Sequence, residues 1–293
     1  MENLRGSVLM VLAMAGFALE DMFIKRLAEG LPVGQIVMLL GLGGAVVFGA
    51  ITVAQGRRLI SRDVLARSVL LRNFGELTGT MAFVTAIALT PLSSASAILQ
   101  ATPLAVTLGA ALFLREPVGW RRWSAILVGF AGVLMVIRPG LEGFAPASLF
   151  AVIAVIGLAM RDLATRAVPR AISSMQLSTY AFATLVPTGA ILLAFGTAPV
   201  MPDPGQMRDL ALALCCGVGA YYAIVAAMRV GEVAVVTPFR YTRLIFALIV
   251  GVTVFREHPD GWTLIGAAVI VASGLYTLLR EARLGRRRAR ETA

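Results

Sequence analysis

Charge is what this sequence has least of. Of its 293 residues, 14% are Asp, Glu, Lys or Arg, against about 25% in ordinary soluble domains. Hydrophobic residues make up 58%, and the mean hydropathy is +0.85. A chain with so little polar surface to offer water reads as an integral membrane protein. Histidine is nearly missing: His258 stands alone, in a connector, and supplies no buried proton relay. The two cysteines, Cys215 and Cys216, are adjacent in an apolar run. Neighbours on a helix diverge, so they do not bridge each other, and two thiols are too few for a zinc site. They are expected to be small core residues. No cluster of His, Cys and carboxylates has metal-ligand spacing, so neither a metal nor another cofactor is expected. There is no G-x-x-x-x-G-K-S/T loop, hence no direct drive by ATP and no implied ATPase subunit. No serine sits in a G-x-S-x-G turn, and no nucleophile–base pair is visible, which argues against an enzyme.

Long apolar runs are what the chain does have. Spans can be drawn at 4–27, 33–54, 68–89, 92–114 and 123–137, and again at 147–167, 176–195, 210–228, 233–255 and 262–279. About 20 apolar residues suffice to cross a bilayer, so these predict ten transmembrane helices in an all-α polytopic protein. Pro/Gly-rich connectors such as 138–143 and 196–205 separate them. The net charge of +10 is placed for lipid rather than nucleic acid. Nineteen Lys and Arg fall in the alternate loops that include both termini, and five in the opposite set. By the positive-inside rule both termini of this multi-pass protein are cytoplasmic.

The run from Glu232 to Phe255 breaks the pattern by carrying Arg240, Tyr241 and Arg243 in its middle. A cation near a bilayer midplane costs ~2.5–3.5 kcal/mol on insertion scales unless it faces protein, water or a counter-charge. This run also has a partner. Shifted back by 141 residues, 232–257 falls on 91–116, with Val254–Glu257 on Phe113–Glu116. The same shift brings Asp162 onto Asp21, Arg166 onto Lys25 and Gln176 onto Gln35. With one residue more, Trp262 meets Trp120, Gly274 meets Gly132 and Arg280 meets Arg138. Two repeats are therefore expected, 4–138 and 147–280, followed by a basic tail at 281–293. Five spans per repeat is an odd number, so the second repeat must be inserted upside down, as in secondary transporters whose sites lie between the halves.

Two five-helix halves, each with a small-residue fourth helix running into F-x-R-E or its like (FLRE at 113–116, VFRE at 254–257) and then a Gly-containing fifth, resemble the drug/metabolite transporter superfamily. Within it the chain resembles the EamA-type ten-helix members over residues 4–280, and most of all bacterial exporters of aromatic amino acids. The resemblance implies a place in the bacterial inner membrane, helices around a central cavity, alternating access, and a small organic metabolite moved outward. Amino acids, aromatic ones first, are the substrates it favours; a multidrug exporter of lipophilic cations is the alternative. The sequence sets no oligomeric state.

Arg240 and Arg243, three residues apart, point roughly the same way on a helix. They bind a substrate carboxylate, which a guanidinium matches in a bidentate fork, or they lock an ion pair, for instance with Glu76. Asn73, Glu76 and Thr80 share one helix face, and Gln100 lies too deep to go unpaired. Pro103, which frees a carbonyl one turn earlier, is the expected flex point. Tyr221, Tyr222 and Tyr241 suit a flat apolar side chain or a packed core equally. Glu20, Asp21, Lys25, Asp162 and Arg166 are candidates for gating or ion pairing. Local pairs Asp21–Lys25 and Asp162–Arg166 are favoured by their acid-then-base spacing.

Overall fold

The computed structural model describes residues 2–59, 62–115, 119–141, 144–169, 171–230 and 233–291. All regular structure among them is helical. The first half holds α1 (Glu2–Leu27), α2 (Val33–Ala54), α3 (Arg67–Leu89), α4 (Leu92–Leu99), α5 (Thr102–Phe113) and α6 (Trp120–Ile137). The second holds α7 (Ser148–Thr165), α8 (Ser174–Ala194), α9 (Pro204–Val230), α10 (Val233–Val236), α11 (Thr242–Thr253) and α12 (Gly261–Glu291). Eight described helical stretches are long and apolar enough to cross a membrane, counting α4–α5 as one. The charged α3 and the interrupted α10–α11 complete ten rods. Exposed Leu4, Val8, Leu12 and Leu19 on α1, and Ile245, Ile249 and Val252 on α11, form apolar faces fit for lipid.

Two rods are not continuous. The fourth breaks at Gln100–Ala101, between α4 and α5. Pro103 has no N–H to give the carbonyl of Leu99, and the Thr102 hydroxyl takes that carbonyl instead at 2.6 Å. The ninth breaks in its own repeat's corresponding stretch, where Thr237–Tyr241, with Pro238 at its start, tightens to a 3-10 turn. The expected basic tail is an extension of the last helix, since α12 continues through Glu291. The cysteines are not core residues: Cys215 is exposed and Cys216 half-buried.

The packing has a pseudo-two-fold pattern. In it α1 lies along α9 as α7 lies along α3, while α2 packs on α8 and α6 on α12. Glycines let the backbones close. A Cβ on Gly16 of α1 would meet the Ala220 side chain of α9 at 2.9 Å, and a Cβ on Gly157 of α7 would meet the Gly79 nitrogen of α3 at 2.6 Å. These two contacts superpose under the 141-residue shift. Gly157→Leu should therefore cost at least the ~1–3 kcal/mol of ordinary overpacking and lower the melting temperature in detergent. Gly219→Ala, with nothing within 4 Å, should leave it unchanged.

Polar ties between halves follow the same symmetry. Gln35 on α2 brackets Val200 of the α8–α9 connector, donating to its carbonyl at 2.6 Å and accepting from its N–H at 2.9 Å. Its mate Gln176 on α8 donates to the carbonyl of Arg58 in the α2–α3 connector at 2.8 Å. At the end away from the termini, Asp260 caps α12 by accepting from Thr263 N–H and pairs with Arg138. Those two donors, the Thr263 N–H first, hold its carboxyl below the usual carboxylate range. A depressed carboxylate adds stability above its unfolded value, and that contribution fades as the pH falls through the folded one.

Candidate substrate site

The two broken rods meet at their breaks. Gln100 is buried, and its Nε2 donates to the backbone carbonyl of Arg240 at 3.4 Å. The α4–α5 break and the 3-10 turn that leads into α11 therefore lie side by side in the bundle. Three buried hydroxyls in these rods, Ser96 Oγ, Thr237 Oγ1 and Tyr241 OH, have no hydrogen-bond partner among the described residues. Unsatisfied buried polar groups are costly and concentrate where something else is to be bound.

The two arginines separate here. Arg243 is committed: its Nη2 donates to both carboxylate oxygens of Asp21, at 2.7 and 3.0 Å, its Nε donates to Oδ2 at 3.2 Å, and it lies between the rings of Phe17 and Phe83. Arg240, on the 3-10 turn, makes no side-chain hydrogen bond or ion pair among the described residues. Its charged surroundings are Asp162, Arg161 and Arg243. The expected pairing of either arginine with Glu76 is replaced by another arrangement. Glu76 accepts from Arg161 Nη1 at 3.3 Å and lies 3.6 Å from Arg72, one turn before it on α3.

Around Glu76 the third helix builds the polar face that its spacing predicts. Thr80 donates to Glu76 at 3.3 Å, Asn73 accepts from Arg72, and Arg72 donates to the Tyr221 hydroxyl at 3.2 Å. Tyr221 packs edge-on to Phe48 and Phe182. Tyr222 is 57% exposed and turned away from this group, so it does not join the others. Tyr241 is buried against Gly274 of α12.

The local acid–base pairs do not form as spaced. Asp21 takes Arg243, 222 residues away, and Asp162 takes its neighbour Arg161 at 2.8 Å. Lys25 instead donates to the carbonyls of Thr90 at 2.6 Å and Ile87 at 3.1 Å, beside Glu257 at 3.7 Å. Arg166 is exposed near the terminal end of α7. Glu257 accepts from Leu92 N–H, Ser93 N–H and the Ser93 hydroxyl at 2.6, 3.0 and 2.7 Å, capping α4 from the other half. Sequence reasoning missed Glu257, Arg161 and Arg72 as participants. The signal for Glu257 was present in the register with Glu116, which itself lies outside the described residues. A groove of about 300 Å³ between α6 and α12, lined by Trp120, Arg121 and Tyr276, lies apart from all of these.

Inverted halves, helices broken at mid-bundle and charged groups gathered there define a membrane transporter rather than an enzyme. The chain belongs to the EamA-like transporter family, whose profile matches residues 4–138 and 145–279. It is similar to the riboflavin transporter of Vibrio cholerae, 31% identical over 225 residues, 74% of this chain and 73% of that one. It is also similar to the S-adenosylmethionine uptake transporter of Rickettsia bellii, 25% identical over 72% of each chain. The pseudopaline exporter CntI of Pseudomonas aeruginosa is 29% identical over 92% of this chain and 94% of its own. A solved crystal structure with 19% identity shares the fold at a TM-score of 0.60, covering 93% of this chain and 98% of the other.

Proposed function

We propose that this protein is a secondary transporter of the bacterial inner membrane that exports small organic metabolites bearing a carboxylate. Amino acids, aromatic ones first, are the favoured class. Both termini lie in the cytoplasm, where most of the loop arginines fall. Transport proceeds by alternating access between the inverted halves. The observation that supports the reading is Arg240: a guanidinium set at the break of a rod, with no ion-pair partner among the described residues, where the two broken rods meet. An anion there is favoured by the guanidinium charge. Gln100, Tyr241, Thr237 and Ser96 supply polar contacts beside it, and Tyr221 is a candidate for the flat part of the substrate. Arg243 sets the position of α11 against α1 and leaves the substrate to Arg240. Export is supported by a relative named as an exporter that aligns over more of the chain than the two relatives above.

The cation-exporter alternative needs a free carboxylate, and Glu76 lies between Arg161 and Arg72. The test is a thermal-shift screen of the purified protein against tryptophan, phenylalanine, riboflavin, S-adenosylmethionine and tetraphenylphosphonium. A carboxylate-bearing ligand should raise the melting temperature. Arg240→Ala should abolish that shift, because losing one side of a desolvated charge pair costs ~2–5 kcal/mol of affinity. A shift given by the lipophilic cation alone, or one untouched by Arg240→Ala, sinks the reading.

A further inference from the structure

The repeat makes the two equivalent helix seams directly comparable, and they differ in charge. In the seam of α7 with α3, Arg161 of α7 faces Glu76 of α3 at 3.3 Å. Subtracting 141 residues from Arg161 gives Glu20 of α1, and adding 141 to Glu76 gives Gly217 of α9. The second seam therefore has a carboxylate where the first has a guanidinium, and a glycine where the first has the partner. The structure shows this contact: a Cβ built on Gly217 would collide with the Glu20 carboxylate. Glu20 makes no hydrogen bond or ion pair with any described residue.

Gly217 is midway along α9, so the Glu20 carboxylate lies deep in the membrane-spanning part of the bundle. Glu20 is turned about 100° from lipid-facing Leu19, toward α9, and is half-buried there. The groups around it offer no replacement for the missing cation. On its own helix Asp21 is held by Arg243 of α11, which is consumed in that pair. From α9 the thiol of Cys216 is close enough to act on Glu20, and the Tyr221 hydroxyl one turn on is taken by Arg72. Glu76 of α3 pairs with Arg161 of α7, Arg72 of α3 is held by Glu76 and the Tyr221 hydroxyl of α9, Arg240 lies among Asp162, Arg161 and Arg243, and α2, α4 and α10 carry no ionisable side chain. An unpaired carboxylate at this depth is held neutral by a proton, or is drawn toward water to lose it.

We propose that Glu20, lodged on Gly217 between α1 and α9, is a proton-binding site through which this transporter couples to the proton gradient. It takes up one proton from the outside face when the halves open outward. It releases that proton to the cytoplasm when they open inward, so substrate leaves as the proton enters. The direction assigned to the substrate rests on the function proposed above; the proton site itself does not.

Two measurements test it on the full-length protein in proteoliposomes. Infrared titration should show a protonated-carboxyl band that disappears as pH rises, is absent in Glu20→Gln, and persists in Glu257→Gln. A band unchanged in Glu20→Gln, or no titrating band, overturns the proposal. In the second measurement, one pH unit imposed across the membrane should support about tenfold accumulation of radiolabelled tryptophan at one proton per substrate. Glu20→Gln should abolish that accumulation while keeping exchange of labelled for unlabelled tryptophan. Accumulation retained by Glu20→Gln overturns the proposal. Wild-type protein that moves no tryptophan refutes that substrate, and the infrared result then decides the proton site.

Discussion

Replacing Arg243 by alanine should destabilise the protein by ~3–5 kcal/mol, the usual penalty for removing one member of a buried ion pair. The reason is what stays behind. Asp21 is 3% exposed and is left without its partner in the middle of the bundle, three hydrogen bonds gone, so it must either carry an uncompensated charge or take up a proton. The two aromatic rings that flank the guanidinium lose their cation as well. Loss of folded protein in detergent, read as a lower melting temperature and yield, measures the effect. The paired substitution Asp21→Leu with Arg243→Met should recover most of it, because replacing both charges by apolar groups of similar size is often close to neutral. A drop of under about 1 kcal/mol in Arg243→Ala would mean the pair is solvated in the membrane and belongs with exposed bridges. That outcome would also return Arg243 to the list of substrate ligands.

The second large effect is expected at Glu257, which ties one half of the protein to the other at the end away from the termini. Its carboxylate caps α4 with three hydrogen bonds, while Lys25 holds the carbonyls of Ile87 and Thr90 beside it. Four segments from both repeats meet on these two side chains. Glu257→Ala removes the cap, worth ~0.5–2 kcal/mol, together with the partner of Lys25. If this contact closes the outer face, its loss shifts the balance toward the open state by that amount, and each 1.4 kcal/mol is about tenfold in population. The measurement uses a background of Cys215→Ser and Cys216→Ser, with Gln100→Cys as reporter at the broken rod. Labelling by an impermeant maleimide from outside should rise about tenfold in Glu257→Ala. An unchanged rate would show that the contact is a fixed joint and that opening happens elsewhere.

Why these pairings escaped the sequence is a matter of what fixes a partner. On a solvated helix an acid and a base four residues apart find each other because nothing else is near. Inside a bundle the partner is whichever charge the packing brings closest, and Arg243 comes to Asp21 from the other half. Lys25, at the end of α1, has two carbonyls and Glu257 within reach and no need of Asp21. The separation of Arg240 from Arg243 is tertiary as well: Arg243 is drawn to Asp21 of α1, while Arg240 lies toward Asp162 and Arg161 of α7. Tyr221 and Tyr222 are one residue, hence about 100°, apart, so at most one could join the polar face, and seam geometry chose Tyr221.

The repeat, the membrane setting and an interruption near Pro103 were legible in the sequence, whereas the 3-10 turn at Thr237–Tyr241 was not. Apolar run length, arginine placement, Pro103 and a shift of 141 residues are properties of a single strand of text, and the bilayer converts them into helices of set length and direction. Which charges neutralise each other, and which two are left without a partner among the described residues, arose only when ten rods were packed. Contacts across a seam depend on the rotation of two helices about their axes, and glycines such as Gly157 and Gly217 set that rotation by how closely backbones approach. Arg240 and Glu20 became distinct from Arg243 and Asp21 at that level alone.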